Sequence, residues 1–394
     1  MGTWIRFEWR KQHARWWLWP LVLVIVGVGV FGASQQKAAQ QRFLVRYRQS
    51  VTEMVKRNEW FVPEQQALAS SARTYNRWYV TTLGITSGKR AQTPDNLGIS
   101  LRNAADLTGA TGWYGFQSQM LRAYERGRLI EARGLTGPYP FSMTFTDQEL
   151  AAMPKIDQQT VRRWSPQFAV QGFDYLVWLI RQNAPAYLLL LATLLFGGNF
   201  ASELGRGRAH SDWLRLQGQS TVAQVLLQGG LLFCRLVGFT LLPLALITGV
   251  VGLREGFGAL RLPLDGYVYN APFDQFASGF IDVGQVIGRA TVLTVALAAV
   301  ITAATLLLAS LIANGWLTAV GSALLVALFL ITPPITWLPL TYFKQAGIAL
   351  GETAFLTDNV ALQTQTGVLT CLAWTVGLAL LIAGVQWRQR RMVA

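Results

Sequence analysis

Charge is what this sequence has least of. Only 14% of its 394 residues are Asp, Glu, Lys or Arg, against roughly a quarter in an ordinary soluble domain, and that shortage argues against a soluble enzyme. Cysteine is scarce too: Cys234 and Cys371 are the only two, both fall in or beside apolar runs, and neither gives the polar region a disulfide framework. Both read as small packing residues. The two histidines, His13 and His210, stand far apart and in no metal-ligand spacing such as H-E-x-x-H, so they read as solvated loop residues. No Asp, Glu, Lys or His lies in the centre of an apolar run. Proton- and ion-coupled carriers need such groups at membrane depth, where their cost marks a pathway, and their lack argues against a secondary transporter. Energy for any pumping then comes from elsewhere. Disorder is excluded by 15 Trp, 11 Tyr and 20 Phe, far too many for a chain without a packed core.

Long apolar runs are abundant. Trp16 to Ala33 is 18 residues without a charge, about the minimum for a helix crossing a hydrocarbon core of roughly 30 Å. It is longer than the core of a signal peptide and no small-x-small cleavage site follows, so it reads as an uncleaved anchor. Arg6, Arg10, Lys11 and Arg15 against Glu8 place the N-terminus in the cytoplasm. A second span is expected from Leu176 to about Ala201, its fully apolar part opening at Ala184 with Pro185 in the first turn. A third is expected at about Leu236 to Leu253. Between Arg289 and Lys344 lie 54 residues without a charge, enough for two spans and too many for one. Asn314-Gly315 is the turn-forming dipeptide in their middle, which gives span four at about Ala290 to Ala313 and span five at about Trp316 to Trp337. Span six runs from about Thr366 to Val385 and stops at the basic cluster Arg388 to Arg391.

The fold class read from this pattern is an all-α polytopic membrane protein of six transmembrane helices, with a large, mainly helical extracytoplasmic domain between helices one and two. Residues 1–33 are the cytoplasmic tail and first helix, residues 34–175 the outer domain, and residues 176–394 helices two to six. The outer domain has 18 Lys and Arg and 11 Asp and Glu, a soluble composition. Helical periodicity appears over Lys37 to Trp60, Gln65 to Leu83 and Gln117 to Ala132. Gly84 to Gly115 reads as loop, and Thr146 to Glu149 reads as a capping box. Leu253 to Arg289 and Leu338 to Gln365 are expected as short outer loops.

A net charge of +14 suggests an anionic partner until it is divided by compartment. Each terminal tail carries +3, each short outer loop −1, and the outer domain +7. Basic cytoplasmic flanks and non-basic outer loops are the bias that orients membrane proteins. No basic run interleaved with aromatics appears, which excludes nucleic acid as the partner. Arg181 and Arg235 read as snorkelling residues at the outer end of span two and the inner end of span three.

Catalytic motifs are missing. Gly84-Ile-Thr-Ser-Gly88-Lys89-Arg90 is one residue short of a phosphate loop, and Arg90 stands where a magnesium-binding hydroxyl is needed. Gly109, Gly112 and Gly115 read as a flexible loop. The chain has no nucleotide site of its own. The informative polar element is the segment 202–228. Glu203 follows span two, a small-residue patch of Gly205, Gly207 and Ala209 follows it, and Leu214, Leu216, Val222, Val225 and Leu226 then interleave with glutamines. This reads as an amphipathic helix at the inner membrane face.

On these residues the chain resembles the permease subunit of a bacterial type-2 ABC exporter. The matching features are six spans with cytoplasmic ends, Glu203 followed by Gly205, an amphipathic segment from Asp212 to Leu227, Arg235 entering span three, and the basic stop at Arg388 to Arg391. The resemblance covers the membrane half and not the outer domain. It implies a separate cytoplasmic ATP-binding-cassette ATPase that binds the ATP and magnesium, and a second permease subunit, identical or not. It also implies an ATPase-coupling role for Glu203, Arg206, Arg208, Asp212, Leu216, Val225 and Arg235. The chain itself is expected to be no enzyme and to hold no cofactor or metal, in a bacterial inner or plasma membrane, surrounded by lipid. The large outer domain favours an amphipathic peptide, drug or lipid-like substrate. The alternative reading is a non-transporting sensor or scaffold whose outer domain binds a ligand or partner.

Overall fold

The computed structural model describes residues 18–57, 168–199, 201, 221–270, 275–312 and 314–391, with residues 126, 129, 130, 132–135, 155 and 158 between them. The chain divides into two compact units, one of Met1–Phe31, Gly172–Phe257 and Gln285–Ala394, the other of Gly32–Gln171 and Gly258–Gly284.

Among the described residues four helices are long and apolar enough to cross a membrane. α1 (Leu18–Arg57) has 40 residues and spans about 60 Å at 1.5 Å per residue. The expected anchor and the expected helix after it are thus one element. No Pro or Gly interrupts residues 33–57, and their long straight side chains favour continuation. α2 (Gly172–Arg181) and α3 (Ala184–Phe196) form a pair bent by 69°. Asn183 takes a left-handed conformation at φ 56, which asparagine tolerates better than most residues. Pro185 then opens α3 where its missing N–H costs nothing. The pair is therefore a broken helix whose apolar half begins where the sequence placed it.

α4 (Thr221–Glu255) is 35 residues long. It differs from the expected third span, because helix runs unbroken through the second half of the amphipathic segment instead of restarting near Arg235. The uncharged, Leu-rich stretch from Thr221 to Cys234 gives the backbone no reason to stop. Pro243 lies inside α4. α5 (Val283–Leu311) follows, and the expected turn at Asn314-Gly315 starts α6 (Gly315–Ala327). Asn314 Oδ1 accepts from the backbone N–H groups of Trp316 and Leu317 at 2.9 and 3.4 Å, a side-chain cap of the usual kind.

α6 with its one-turn extension to Leu330 is about 25 Å long, shorter than the expected span to Trp337. Pro333 and Pro334 follow a chain that has already left the helix. The stretch expected as a second outer loop is instead folded, and its first part, Pro339 to Leu350, is largely buried. It contains a 3-10 turn at Pro339–Phe343 and two one-turn helices, α7 (Gln345–Ala349) and α8 (Glu352–Leu356). Tyr342, Phe343, Ile348, Ala349 and Leu350 are buried. α9 (Thr364–Arg391) closes the chain. It is strapped to this connector by hydrogen bonds from Trp374 Nε1 to Trp337 O at 2.8 Å and from Thr370 Oγ1 to Thr336 O at 3.1 Å.

Helix association in hydrocarbon rests on close packing rather than on the hydrophobic effect, and the core of the first unit is built accordingly. Ala186, Ala192, Ala290, Ala298, Ala309 and Ala319 are buried. The hydroxyls of Thr193, Thr240, Thr248, Thr294 and Thr302 each donate to the carbonyl four residues back at 2.7–2.8 Å, so they bring no unserved donor into the core. Cys371 is buried among them, whereas Cys234 is exposed and is not the packing residue expected.

In the second unit the expected loop after α4 is a hairpin. β1 (Pro263–Asn270) and β2 (Gln275–Asp282) pair antiparallel, with Pro263 opposite Asp282 and Asn270 opposite Gln275. Arg126, Leu129, Ile130 and Ala132 are helical, in keeping with the periodicity of Gln117 to Ala132. That helix ends at Gly134, φ +65, with Leu135 N–H bonded to Ile130 O at 2.9 Å, a Schellman ending. Two arginines of this helical stretch hold the hairpin. Arg126 donates to Pro263 O at 2.9 Å and lies 3.5 Å from Asp265 Oδ2. Arg133 donates to Arg261 O at 2.5 Å and to Asp282 Oδ1 at 2.6 Å. The capping box, the Gly84 to Gly115 loop and both histidines lie outside the described residues.

The two ion pairs differ in burial, and so should their worth. The Asp265 side chain is 7% exposed and Asp282 26%. Removing one partner of a buried pair strands the other charge, whereas a partly exposed pair is screened by water. Asp265→Asn should cost about 2–3 kcal/mol and Asp282→Asn less than about 1 kcal/mol, read as the shift in thermal denaturation of the full-length protein in detergent. Equal losses would contradict this ranking.

Candidate functional site

Most of the residues proposed from sequence follow the end of α3, and there the backbone is packed unusually tightly. α3 passes into a 3-10 turn, Gly197–Asn199. A Cβ on Gly315 would sit 2.6 Å from Gly198 O, and a Cβ on Gly198 would collide with Gly315 O in turn. Only glycine at both positions lets the start of α6 lie directly on the end of α3. Gly197 adds to the same contact, because a Cβ there would stand 3.5 Å from Ala319 Cα and 3.4 Å from Thr305 Cγ2. Three helices, α3, α5 and α6, are thus drawn together a few residues before Ala201, and α4 opens at Thr221.

Arg235 belongs to this cluster. Its guanidinium carbon lies 5.8 Å from the centre of the Phe196 ring, within cation–π range, and Phe196 meets Phe239 edge-on at 5.7 Å. Along α4, however, Arg235 is three residues from the helix midpoint, Gly238, and about 21 Å from Thr221. Antiparallel packing on α5 agrees. A Cβ on Gly229 would lie 3.0 Å from Leu306 Cδ1, while Leu244 shares a cavity with Ala290 and Thr294. Arg235 therefore lies inside a continuous apolar helix and not at the start of a span as expected. The sequence misled because a continuous helix was divided at Arg235, the one charge between Thr221 and Leu253.

Val225 is half-buried and lines a cavity of about 350 Å³ with Gly229, Phe233, Ala303 and Ala379. Its neighbour Leu226 is 70% exposed. Of these two, Leu226 and not Val225 is free to meet a partner. Glu203, Arg206, Arg208, Asp212 and Leu216 lie outside the described residues.

The opposite end of the bundle holds a polar feature that sequence reasoning missed. Gln345, at the start of α7, is 1% exposed and is paired with Thr294 of α5. Gln345 Nε2 donates to Thr294 Oγ1 at 2.9 Å, and Gln345 Oε1 stands 3.2 Å from that hydroxyl. Arg289 Nη1 donates to Ala349 O at 2.8 Å, satisfying the carbonyl end of α7. Leu338 to Leu350 carries a single charge, Lys344, amid Leu, Pro, Tyr, Phe, Ile and Ala, and that composition was the available signal that this stretch is not a solvated loop. Among the described residues no group of three or more His, Cys, Asp or Glu could hold a metal ion.

The glycine contact makes a sharp prediction. Gly198→Ala and Gly315→Ala should each lower the melting temperature of the purified protein by several degrees, since neither backbone can retreat without repacking. Gly238→Ala and Gly249→Ala, where a Cβ meets nothing within 4 Å, should leave it unchanged or raise it slightly. Equal effects at all four positions would remove the special standing of the pair. No protein-family model, curated protein or solved structure matches this chain.

Proposed function

We propose that the chain is the permease subunit of an ATP-driven exporter of the type-2 ABC kind. In this reading α1, the broken pair α2–α3, α4, α5, α6 and α9 are six spans, both termini are cytoplasmic, and residues 34–175 are outside a bacterial inner or plasma membrane. A separate ATPase supplies the energy and binds the nucleotide. A second permease subunit, identical or related, completes the pathway. The substrate is an amphipathic peptide, drug or lipid-like molecule.

The observation that carries the reading is the backbone-to-backbone seat of α3 on α6, which lies within four residues of the polar segment 202–220 in the sequence. A force applied to that segment by a cytoplasmic partner enters three helices at once through a junction that has no slack. The scarcity of charge within the spans supports the same reading, because it leaves no relay for a proton or ion gradient. Arg235 is one ionisable group well inside a span, and its seat on Phe196 links α4 to α3 at this same junction.

The reading predicts that the full-length protein, taken from its native membrane in mild detergent, retains a soluble ATPase whose activity it stimulates. Leu226→Asp together with Leu216→Asp should abolish that stimulation while the elution profile of the permease stays unchanged. If no ATPase is retained, the reading fails. If the double variant stimulates normally, the docking role of this segment is wrong.

A further inference from the structure

We propose that the cavity floored by Gln345 and Thr294 is a binding site for a small uncharged amphiphile, of the size of one aromatic ring, that carries a hydrogen-bond donor. The cavity has a volume of about 200 Å³. It lies beside two irregularities of the helices, the break at Asn183 between α2 and α3 and Pro243 in α4. Its walls are apolar, with Ile180, Pro185, Leu244 and Ile287 among them, and no charged side chain lines it. An ion has no counter-charge there.

The floor defines the ligand. Thr294 has one hydroxyl proton, and it is given to Ala290 O at 2.8 Å. The hydroxyl therefore accepts from Gln345 Nε2, and its contact with Oε1 brings no proton. Gln345 Oε1 has that one contact, at 3.2 Å, and a second lone pair that no other donor among the described residues takes up, which a ligand N–H or O–H can occupy. Water does not fill the space. The volume has room for six or seven waters at about 30 Å³ each, each needing two to four polar partners, and the walls offer Gln345, Thr291 and Thr294 alone. An apolar cavity of about 150 Å³ takes benzene, so a phenol-sized molecule fits with its ring on the walls and its hydroxyl on Gln345. Ala245 at the rim is exposed beside the exposed Leu242 and Leu246. The cavity thus opens on an apolar face, and a neutral ligand dissolved in the bilayer reaches it. This inference stands apart from the exporter reading, since binding requires no ATPase.

The test uses the full-length protein in lipid nanodiscs and fluorine NMR saturation transfer with para-fluorophenol, empty discs being subtracted. The wild-type chain should give a saturable signal that unlabelled phenol displaces, and should bind para-fluorophenol more tightly than fluorobenzene. Gln345→Leu should bind para-fluorophenol about fivefold more weakly, the cost of one hydrogen bond, with fluorobenzene unaffected. Ala245→Phe, a change at the exposed rim that the fold accommodates, should block both probes and decides the matter alone if Gln345→Leu does not fold. An unsaturable signal, equal binding of the two probes, wild-type affinity in Gln345→Leu, or wild-type binding in Ala245→Phe would each overturn the proposal.

Discussion

The close approach of Gly198 and Gly315 is the constraint on which the membrane unit depends. Inside hydrocarbon the hydrophobic effect does not hold helices together, so their association rests on contact distance and on polar groups that find one another. Two facing glycines give the shortest distance available. They set how closely the end of α3 lies on the start of α6, and Gly197 beside them sets how near α5 comes through Thr305. A junction of this kind transmits displacement because no side chain stands between the two backbones to absorb it. In the exporter reading that is the quality required of the place where a cytoplasmic motor grips the spans.

The rest of the bundle follows the same economy. Buried threonines return their protons to their own helices, alanines let the helices close, and a carbonyl freed at the end of α7 is taken by Arg289. Tyr342 reaches Thr336 O at 2.8 Å and fills the space left by Gly367 of α9, so the connector after α6 is held as firmly as a span. Against that background the acceptor on Gln345 stands out. An amide buried to this degree is ordinarily served on every side, and here one side opens on a cavity.

Much of this was legible in the sequence, and the parts that were not fail for identifiable reasons. Charge-free length located the apolar helices, Pro185 marked the start of α3, and Asn314-Gly315 marked the turn before α6, because each is a local rule that tertiary structure did not override. The start of α4 was misplaced because Arg235 was taken as a boundary, although an arginine seated on an aromatic ring can lie within a helix. The hairpin Pro263–Asp282 was read as loop because its partners, Arg126 and Arg133, lie over a hundred residues away and no local pattern announces them. The connector after α6 was misread through its position between two runs, when its own composition already said buried. Of the candidate residues, Val225 and Arg235 lie among the described ones, and Val225 is half-buried where its neighbour Leu226 is exposed. Nothing in the sequence marked Gln345, whose meaning depends on Thr294 of a distant helix.

The seat of α3 on α6 is tested most directly by cross-linking in intact membranes. In a chain whose native cysteines are replaced by alanine, Gly197→Cys and Ala319→Cys bring two thiols within disulfide range, since a Cβ at position 197 lies 3.5 Å from the Ala319 backbone. A mild oxidant should join them rapidly and nearly completely, while Gly197→Cys paired with Leu324→Cys, on the exposed side of α6, should stay open. Failure of the first pair to form, or equal formation of both, would contradict the packing from which the account is built.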